Sequence, residues 1–521
     1  MRRRSGGVAT FVRAGSHLAG TLWGRAVADV AMAWSHKPVR EGFYGTVLLH
    51  LGSLTPAYLP QNSPWWVPMR AMGLDSDPAR YAGTICVIAG VALLMDAWFK
   101  LRPWAYEVGR HWVILVVWSA PLLFAPPIFS HDAYSYAAQG WLVHNGLNPY
   151  QVGPGVLPGA FADQVSWVWR YTPAPYGPLS MQLSRGLIEM VGLNPYYSAL
   201  SMRIPAVVGV AMIVLLLPRI AHQLGVNAQV TAWFATLNPL LVIDFVGGAH
   251  NDALMMGLVV LALWLAKRPT LATGWRRWWA VLIWPAIIIG VAAAIKQPAF
   301  LAAYPIALLA RPWRTWHARD VLGAAGIVGA SFAVAIGTFA AISVATGLYF
   351  GWMNAVGVPG SVLSLAPFTL VGMGLDALLA LAGANTNGHA ALDVARVLGL
   401  AVTGISITWL ALTVARRKPV TFLSWAYLIA AICGPALHSW YLMWGGLLIP
   451  LTRPTPRMIR TAVVVTIVLL AYGAGNLAVR NDAWALGLAG LGMFAALAVQ
   501  HFRHRRGHFG SEGVSRIEDE A

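Results

Sequence analysis

The sequence predicts an all-α, polytopic membrane protein, and three observations carry that fold class. Of its 521 residues, 58% are hydrophobic and only 11% charged, with a mean hydropathy of +0.62. Many apolar runs reach the roughly 20 residues a helix needs to cross a hydrocarbon core of about 30 Å. Those runs are broken by Pro, Gly and clustered charge and not by alternating polar residues, which favours helices over a β-barrel.

About fourteen spans are expected, with midpoints near Leu49, Ala89, Val117, Ile213, Thr236, Val260, Ile288, Pro305, Ala333, Ala401, Ala426, Gly446, Val468 and Leu491. With the N-terminus cytoplasmic, all but eight of the 36 Lys and Arg fall on the cytoplasmic side; the eight are Arg70, Arg80, Arg170, Arg185, Arg203, Lys296, Arg396 and Arg480. That asymmetry is the positive-inside pattern, so the net charge of +17 calls for membrane lipids and no nucleic-acid partner. Three regions follow. Residues 1–41 are a basic cytoplasmic segment, of which 8–36 read as an amphipathic surface helix, with no cleavable signal peptide. Residues 42–502 form one transmembrane domain, and 503–521 a charged, disordered cytoplasmic tail. The two cysteines, Cys86 and Cys433, lie in apolar spans, where they read as small buried hydrophobes and not as a disulfide or metal site. No Gly-rich phosphate loop is present, so soluble nucleotides are unsupported as substrates.

The polar residues that remain collect on the outer edge. The third span delivers "FSHDAYSYAAQGW" (129–141) to the outer face and opens the longest outer segment, 130–200. Asp132 suits a helix N-cap; it equally suits a general base at the water boundary. Tyr136 is four residues on and shares its helical face. With His131, Tyr134 and Tyr176 it supplies rings and hydroxyls of the kind that bind sugars. Prolines pin the aromatic loop "WRYTPAPYGPL" (169–179); its Arg170 can anchor to headgroups or bind phosphate in a bidentate way. Lys296 ends a long apolar run, where a cation either snorkels to headgroups or meets a buried anion. In "GGAHNDA" (247–253), His250, Asn251 and Asp252 are a poor metal site and read as substrate hydrogen-bonding or helix-capping groups. His438, Trp440 and Tyr441 repeat the polar-plus-aromatic theme, which an interfacial aromatic belt also explains. No metal ligand set and no required cofactor is evident; nothing demands a divalent ion.

Taken in order, "FSHDAYSYAAQG", "GLNPYQVGP", "APYGPL", "NPLLVIDFVGGAHNDALM" and "AIKQPA" resemble the polyprenyl-phosphomannose-dependent α-(1→6)-mannopyranosyltransferases of mycolic-acid bacteria, over roughly residues 125–305. The resemblance implies a GT-C-like helical bundle with outer-face interfacial helices and loops, in the bacterial plasma membrane, with its active site on the outer (periplasmic) face and both termini cytoplasmic. It implies a polyprenyl-phosphate mannose donor and a mannoside glycolipid acceptor, the product being the backbone of lipomannan and lipoarabinomannan. Carried over, the catalytic carboxylate is Asp132; Lys296 and Arg170 are expected at the donor phosphate. One departure stands out: Asp132 follows the third span, whereas GT-C enzymes commonly carry this residue after their first core helix. Two added N-terminal helices reconcile the two. Transfer of arabinose or glucose from the same lipid carrier is the nearest alternative function, and a flippase for a lipid-linked intermediate the more distant one. The absence of an internal repeat and the outer-edge placement of the polar residues speak against transport.

Overall fold

The computed structural model describes residues 24–60, 63–103, 110–355, 357–358, 364–384 and 389–503. Every regular element among them is helical, and none is a strand. Helices α1 (Lys37–Ser53), α2 (Asp77–Lys100) and α3 (His111–Leu123) pack together. Two indoles knit them to the next part of the chain: Trp98 and Trp233 stack at 4.9 Å and each donates to the other's carbonyl, at 3.0 and 2.8 Å. Pro126 and Pro127 prevent continuation of α3, and the chain turns into α4 (Asp132–His144), which packs on α5 (Pro178–Met190).

α6 (Arg203–Leu224) then leads to a bent pair, Ala228–Thr236 and Leu241–Gly247, set at 54° to each other. Asn238 and Pro239 cause the bend: proline lacks an N–H for the ladder, and the Asn238 carboxamide instead accepts from Leu240 N at 3.0 Å. α7 (Asp252–Lys267), α8 (Trp284–Ile295), α9 (Ala303–Ala310) and α10 (Ala318–Ala345) follow, then α11 (Pro367–Leu381) and α12 (Ala390–Thr413). α13 (Pro419–Cys433), the short α14 (Ser439–Gly446), α15 (Pro456–Arg480) and α16 (Trp484–Arg503) complete the bundle.

Seven of these stretches are long and apolar enough to cross a membrane, or eight with the bent pair taken as one span. This is the architecture of an all-α, multi-pass membrane protein, and among the described residues the count of fourteen is not confirmed. Each expected midpoint does fall on a helix or on the bent pair; the difference is one of length. α3 has 13 residues, α7 has 16, α13 has 15, and α9 and α14 have 8 each. A 13-residue helix rises only about 20 Å, and apolar composition alone does not separate a short helix sunk in a bundle from a full crossing.

Residues 24–35 are helical, inside the 8–36 segment expected to be so; residues 1–23 and the tail from 504 lie outside the described residues. Cys86 and Cys433 are both free.

Candidate active site

Two sharp turns build the site, and each passes through a left-handed residue other than glycine. Phe129 has φ 66° just before Ser130-His131-Asp132, and Ala249 has φ 55° just before His250. Such conformations are strained for residues with a Cβ and persist where surrounding contacts enforce them. At the first turn Ser130 Oγ accepts from Asp132 N at 3.1 Å. α4 begins at Asp132 itself, with His131 as N-cap residue and no side chain capping it. The capping role therefore goes unfilled, and the Asp132 carboxylate is not spent on the backbone of its own helix.

It meets two partners, both at arm's length. Tyr136 OH donates to Asp132 Oδ2 at 3.4 Å, one helical turn along as the spacing predicts. His250 Nδ1 approaches the same oxygen at 3.4 Å, long enough to count as an electrostatic contact and not as a strong hydrogen bond. Burial opposes ionisation of Asp132, but contact with His250 and the fields of His250, His438 and Lys296 outweigh it, holding the carboxyl down to about 2. Asp132 is thus ionised at neutral pH, with lone pairs to spare.

The second turn is held from beneath. Buried Arg203 donates to the carbonyls of Val246 (3.1 Å) and Gly247 (2.8 Å) at the end of the bent pair. His250, fully buried, lies against Trp440 with ring centroids 3.9 Å apart, and His438 stacks on the same indole at 4.5 Å. Asn251 Nδ2 approaches Ser180 Oγ at 3.4 Å. Neither Asn251 nor Asp252 caps α7 with its side chain.

Asp252 has other employment. Lys296 Nζ donates to both of its carboxylate oxygens at 2.9 Å, and Trp444 Nε1 donates to Oδ1 at 2.7 Å. The ammonium is also 4.5, 5.4 and 5.6 Å from the ring centroids of Tyr441, Trp444 and Tyr176, a cage that favours a cation. Tyr176 reaches it because Gly177 lies against the end of α8. A Cβ there would collide with Ala294 O, and Gly177 N donates to Ile295 O at 3.0 Å. The Pro-rich loop is pinned alongside by Tyr150 OH on Tyr176 O (2.8 Å) and Gln297 Nε2 on Pro175 O (3.3 Å).

Around Asp132 opens a cavity of about 1250 Å³. His131, Asp132, Arg170, Tyr176, His438, Trp440 and Tyr441 line it, so the structure gathers seven expected residues on one wall. Tyr134, Tyr136, His250, Asn251, Asp252 and Lys296 are not on that wall; they form the layer behind. Arg170 itself is tied lightly to the loop, with Nη2 3.2 Å from Asp163 O and Nη1 3.9 Å from Asp163 Oδ1. Among the described residues no group of three or more His, Cys, Asp or Glu could hold a metal ion.

Sequence reasoning missed several wall residues. Ser439 and, at the end of α15, Asn476, Arg480 and Asn481 all line the cavity. Arg480 carries a readable signal, since it closes an apolar span as Lys296 does. Asp244, a carboxylate inside the apolar run "LLVIDFVGG", reads from sequence as either a buried structural partner or part of the same cavity, and it lines the cavity.

Comparison with known proteins gives this geometry a lineage. Residues 39–312 match the family model described as alpha-(1->6)-mannopyranosyltransferase, N-terminal domain, and residues 368–502 match the MptB C-terminal domain. A probable alpha-(1->6)-mannopyranosyltransferase of Mycolicibacterium smegmatis is 31% identical over 467 residues, covering 83% of this chain and 82% of that protein. An alpha-(1->6)-mannopyranosyltransferase of Mycobacterium tuberculosis is 31% identical over 487 residues, 83% of this chain and 81% of its own. Alpha-(1->6)-mannopyranosyltransferase A of the same organism is 30% identical over 428 residues, 78% of each chain. The chain belongs to the alpha-(1->6)-mannopyranosyltransferase family.

Proposed function

We propose that this protein is an inverting mannosyltransferase. It moves mannose from a polyprenyl-phosphate donor to O6 of an α-mannan acceptor, extending the backbone of lipomannan and lipoarabinomannan. One observation carries the reading: an ionised, loosely held carboxylate, Asp132, lines a cavity whose wall changes character from side to side. Leu240, Ile243, Leu469 and Leu470 make it apolar on the side of the bent pair and α15, while Trp167, Trp169, Arg170 and Tyr176 make it aromatic and cationic on the loop side. A lipid-linked sugar needs both. At about 1250 Å³ the space exceeds the roughly 300–1,000 Å³ of a single small-ligand pocket, leaving room for a donor and an acceptor sugar together.

In the reaction Asp132 accepts the proton of the acceptor hydroxyl as that oxygen bonds to the anomeric carbon. The bond from that carbon to the phosphate oxygen breaks on the opposite face, and lipid monophosphate leaves. A β-linked donor then gives an α-product. The leaving group is already anionic and needs no proton, so the paired-carboxylate scheme of glycosidases does not apply. Arg170 and Arg480, both on the wall, are the cations placed to meet the phosphate. Fixed charges at a water-poor site stabilise developing charge better than water does. Lys296, expected from sequence at the phosphate itself, acts in this reading from the layer behind, through its field on Asp132 and through the rings it supports. The charge asymmetry of the loops favours an outer-face site with both termini cytoplasmic, and the plasma membrane is the compartment this reading requires.

The test is transfer by the purified protein in nanodiscs from polyprenyl-phosphate mannose to an α-mannoside, with the product linkage read by NMR. An α-(1→6) product from the lipid donor supports the reading. Transfer from a soluble nucleotide sugar alone, or preferential use of lipid-linked arabinose or glucose, overturns it.

A further inference from the structure

We propose that Asp244 is a second sugar-binding carboxylate of the cavity, accepting hydroxyl hydrogen bonds from the mannosyl ring of the donor. The inference rests on the transfer reaction proposed above and adds a binding role for a residue outside it. Asp244 is 4% exposed and lies on the Leu241–Gly247 half of the bent pair, where every residue is buried. It nevertheless lines the cavity with Asp132, Ser439 and His438. Its Oδ2 has no hydrogen-bond partner.

A buried carboxylate oxygen with no donor is costly, by several kcal/mol for an ionised group in an apolar setting. Asp252, eight residues on, shows how this bundle treats a carboxylate meant to be structural: three bonds from Lys296 and Trp444. Asp244 has Ser439 as a hydrogen-bonding neighbour, but among the described residues it has no bonded cation and no partner for Oδ2, and it borders the cavity. The donors it lacks have to come from what enters. Hexose hydroxyls are neutral donors able to satisfy such an oxygen without a counter-cation. Its neighbours on the same wall, Leu240 and Ile243, belong to the apolar side that suits a lipid carrier, which assigns the contact to the donor sugar and not to the acceptor.

The experiment compares wild type, Asp244→Asn and Asp244→Ala in nanodiscs, with polyprenyl-phosphate mannose and its monodeoxy analogues as donors. Both variants should lose about 10- to 100-fold in kcat/KM on the parent donor, the worth of a hydrogen bond to a charged group. One deoxy donor should be poor for wild type yet no poorer for the variants than the parent donor is, which identifies the hydroxyl Asp244 holds. The thermal midpoint of ligand-free Asp244→Asn should not fall, because its carboxamide oxygen still accepts from Ser439. Equal losses on every donor, or a lowered midpoint for Asp244→Asn, would make Asp244 structural and overturn the assignment. Wild-type kinetics in both variants would overturn it as well. If wild type fails with the lipid donor itself, the proposed reaction falls and this inference falls with it.

Discussion

Asp132 and Asp252 flank the same aromatic wall, and the fold treats them in opposite ways. Asp252 receives two bonds of 2.9 Å from Lys296 and one of 2.7 Å from Trp444, out of contact with solvent. Asp132 has two approaches of 3.4 Å, from Tyr136 and His250, and opens on the cavity. The first is a satisfied structural pair; the second is a charge held in place but left free to bind. Buried charge alone therefore does not mark the chemistry in this bundle. In the proposed reaction, the carboxylate assigned the chemistry is the one whose coordination the protein leaves incomplete.

The comparison can be broken most forcefully at the satisfied pair. Asp252→Asn or Lys296→Met each strands a buried partner, and each should cost about 3–5 kcal/mol of stability. The double variant Asp252→Leu/Lys296→Met should recover much of that, since neither charge is then left alone. Unfolding in detergent measures all three; single variants that stay within about 1 kcal/mol of wild type would show that the pair is dispensable.

Trp444→Phe keeps the ring and deletes the 2.7 Å bond to Asp252, so about 2 kcal/mol should be lost. An unchanged unfolding midpoint would mean that Lys296 alone satisfies Asp252. Smaller still, and kinetic, is the effect expected at the cavity cations. Arg480→Gln and Arg170→Gln should each raise KM for the lipid donor by about 10-fold while leaving KM for the acceptor unchanged. An acceptor effect of the same size would move the phosphate elsewhere.

A further expected effect is on acid stability. Burial lowers the pKa of His438 to about 4, even though Asp132 and Asp252 pull it upward and His250 and Lys296 pull it down. Between the ordinary histidine value of about 6.5 and about 4, the unfolded chain takes up a proton that the folded one refuses. Stability should accordingly fall as pH drops through that window. Asp132, held at about 2, adds a further loss below the ordinary carboxylate value of about 3.9. His438→Gln should flatten only the first window in thermal midpoints taken against pH. Identical slopes for wild type and variant would show that His438 does not titrate there.

Much of this site was legible in sequence because membranes make polar residues conspicuous. Asp132, Lys296 and His438 stand out where apolar runs end, Arg170 stands out in an aromatic outer loop, and the 3.6-residue period placed Tyr136 over Asp132. Pairing was not legible. Asp252 and Lys296 are 44 residues apart and Trp444 is 192 from Asp252; only the meeting of α7, α8 and α14 brings them together. Lys296 consequently looked free to meet phosphate when its charge is already matched. The count of fourteen spans is not confirmed for a related reason: α3, α9 and α14 are apolar yet short, and apolar composition alone does not carry length. Arg480 lay hidden for want of a neighbouring motif.

Asp132→Asn tests the central claim most directly, because it removes the base with almost no change of shape. In one nanodisc preparation, transfer from polyprenyl-phosphate mannose, donor binding and thermal midpoint should be measured for wild type and variant. The account expects transfer to fall about 10²- to 10⁴-fold with donor binding and midpoint unchanged. Transfer within a few-fold of wild type would contradict it and leave Asp132 no more than a neighbour of His250.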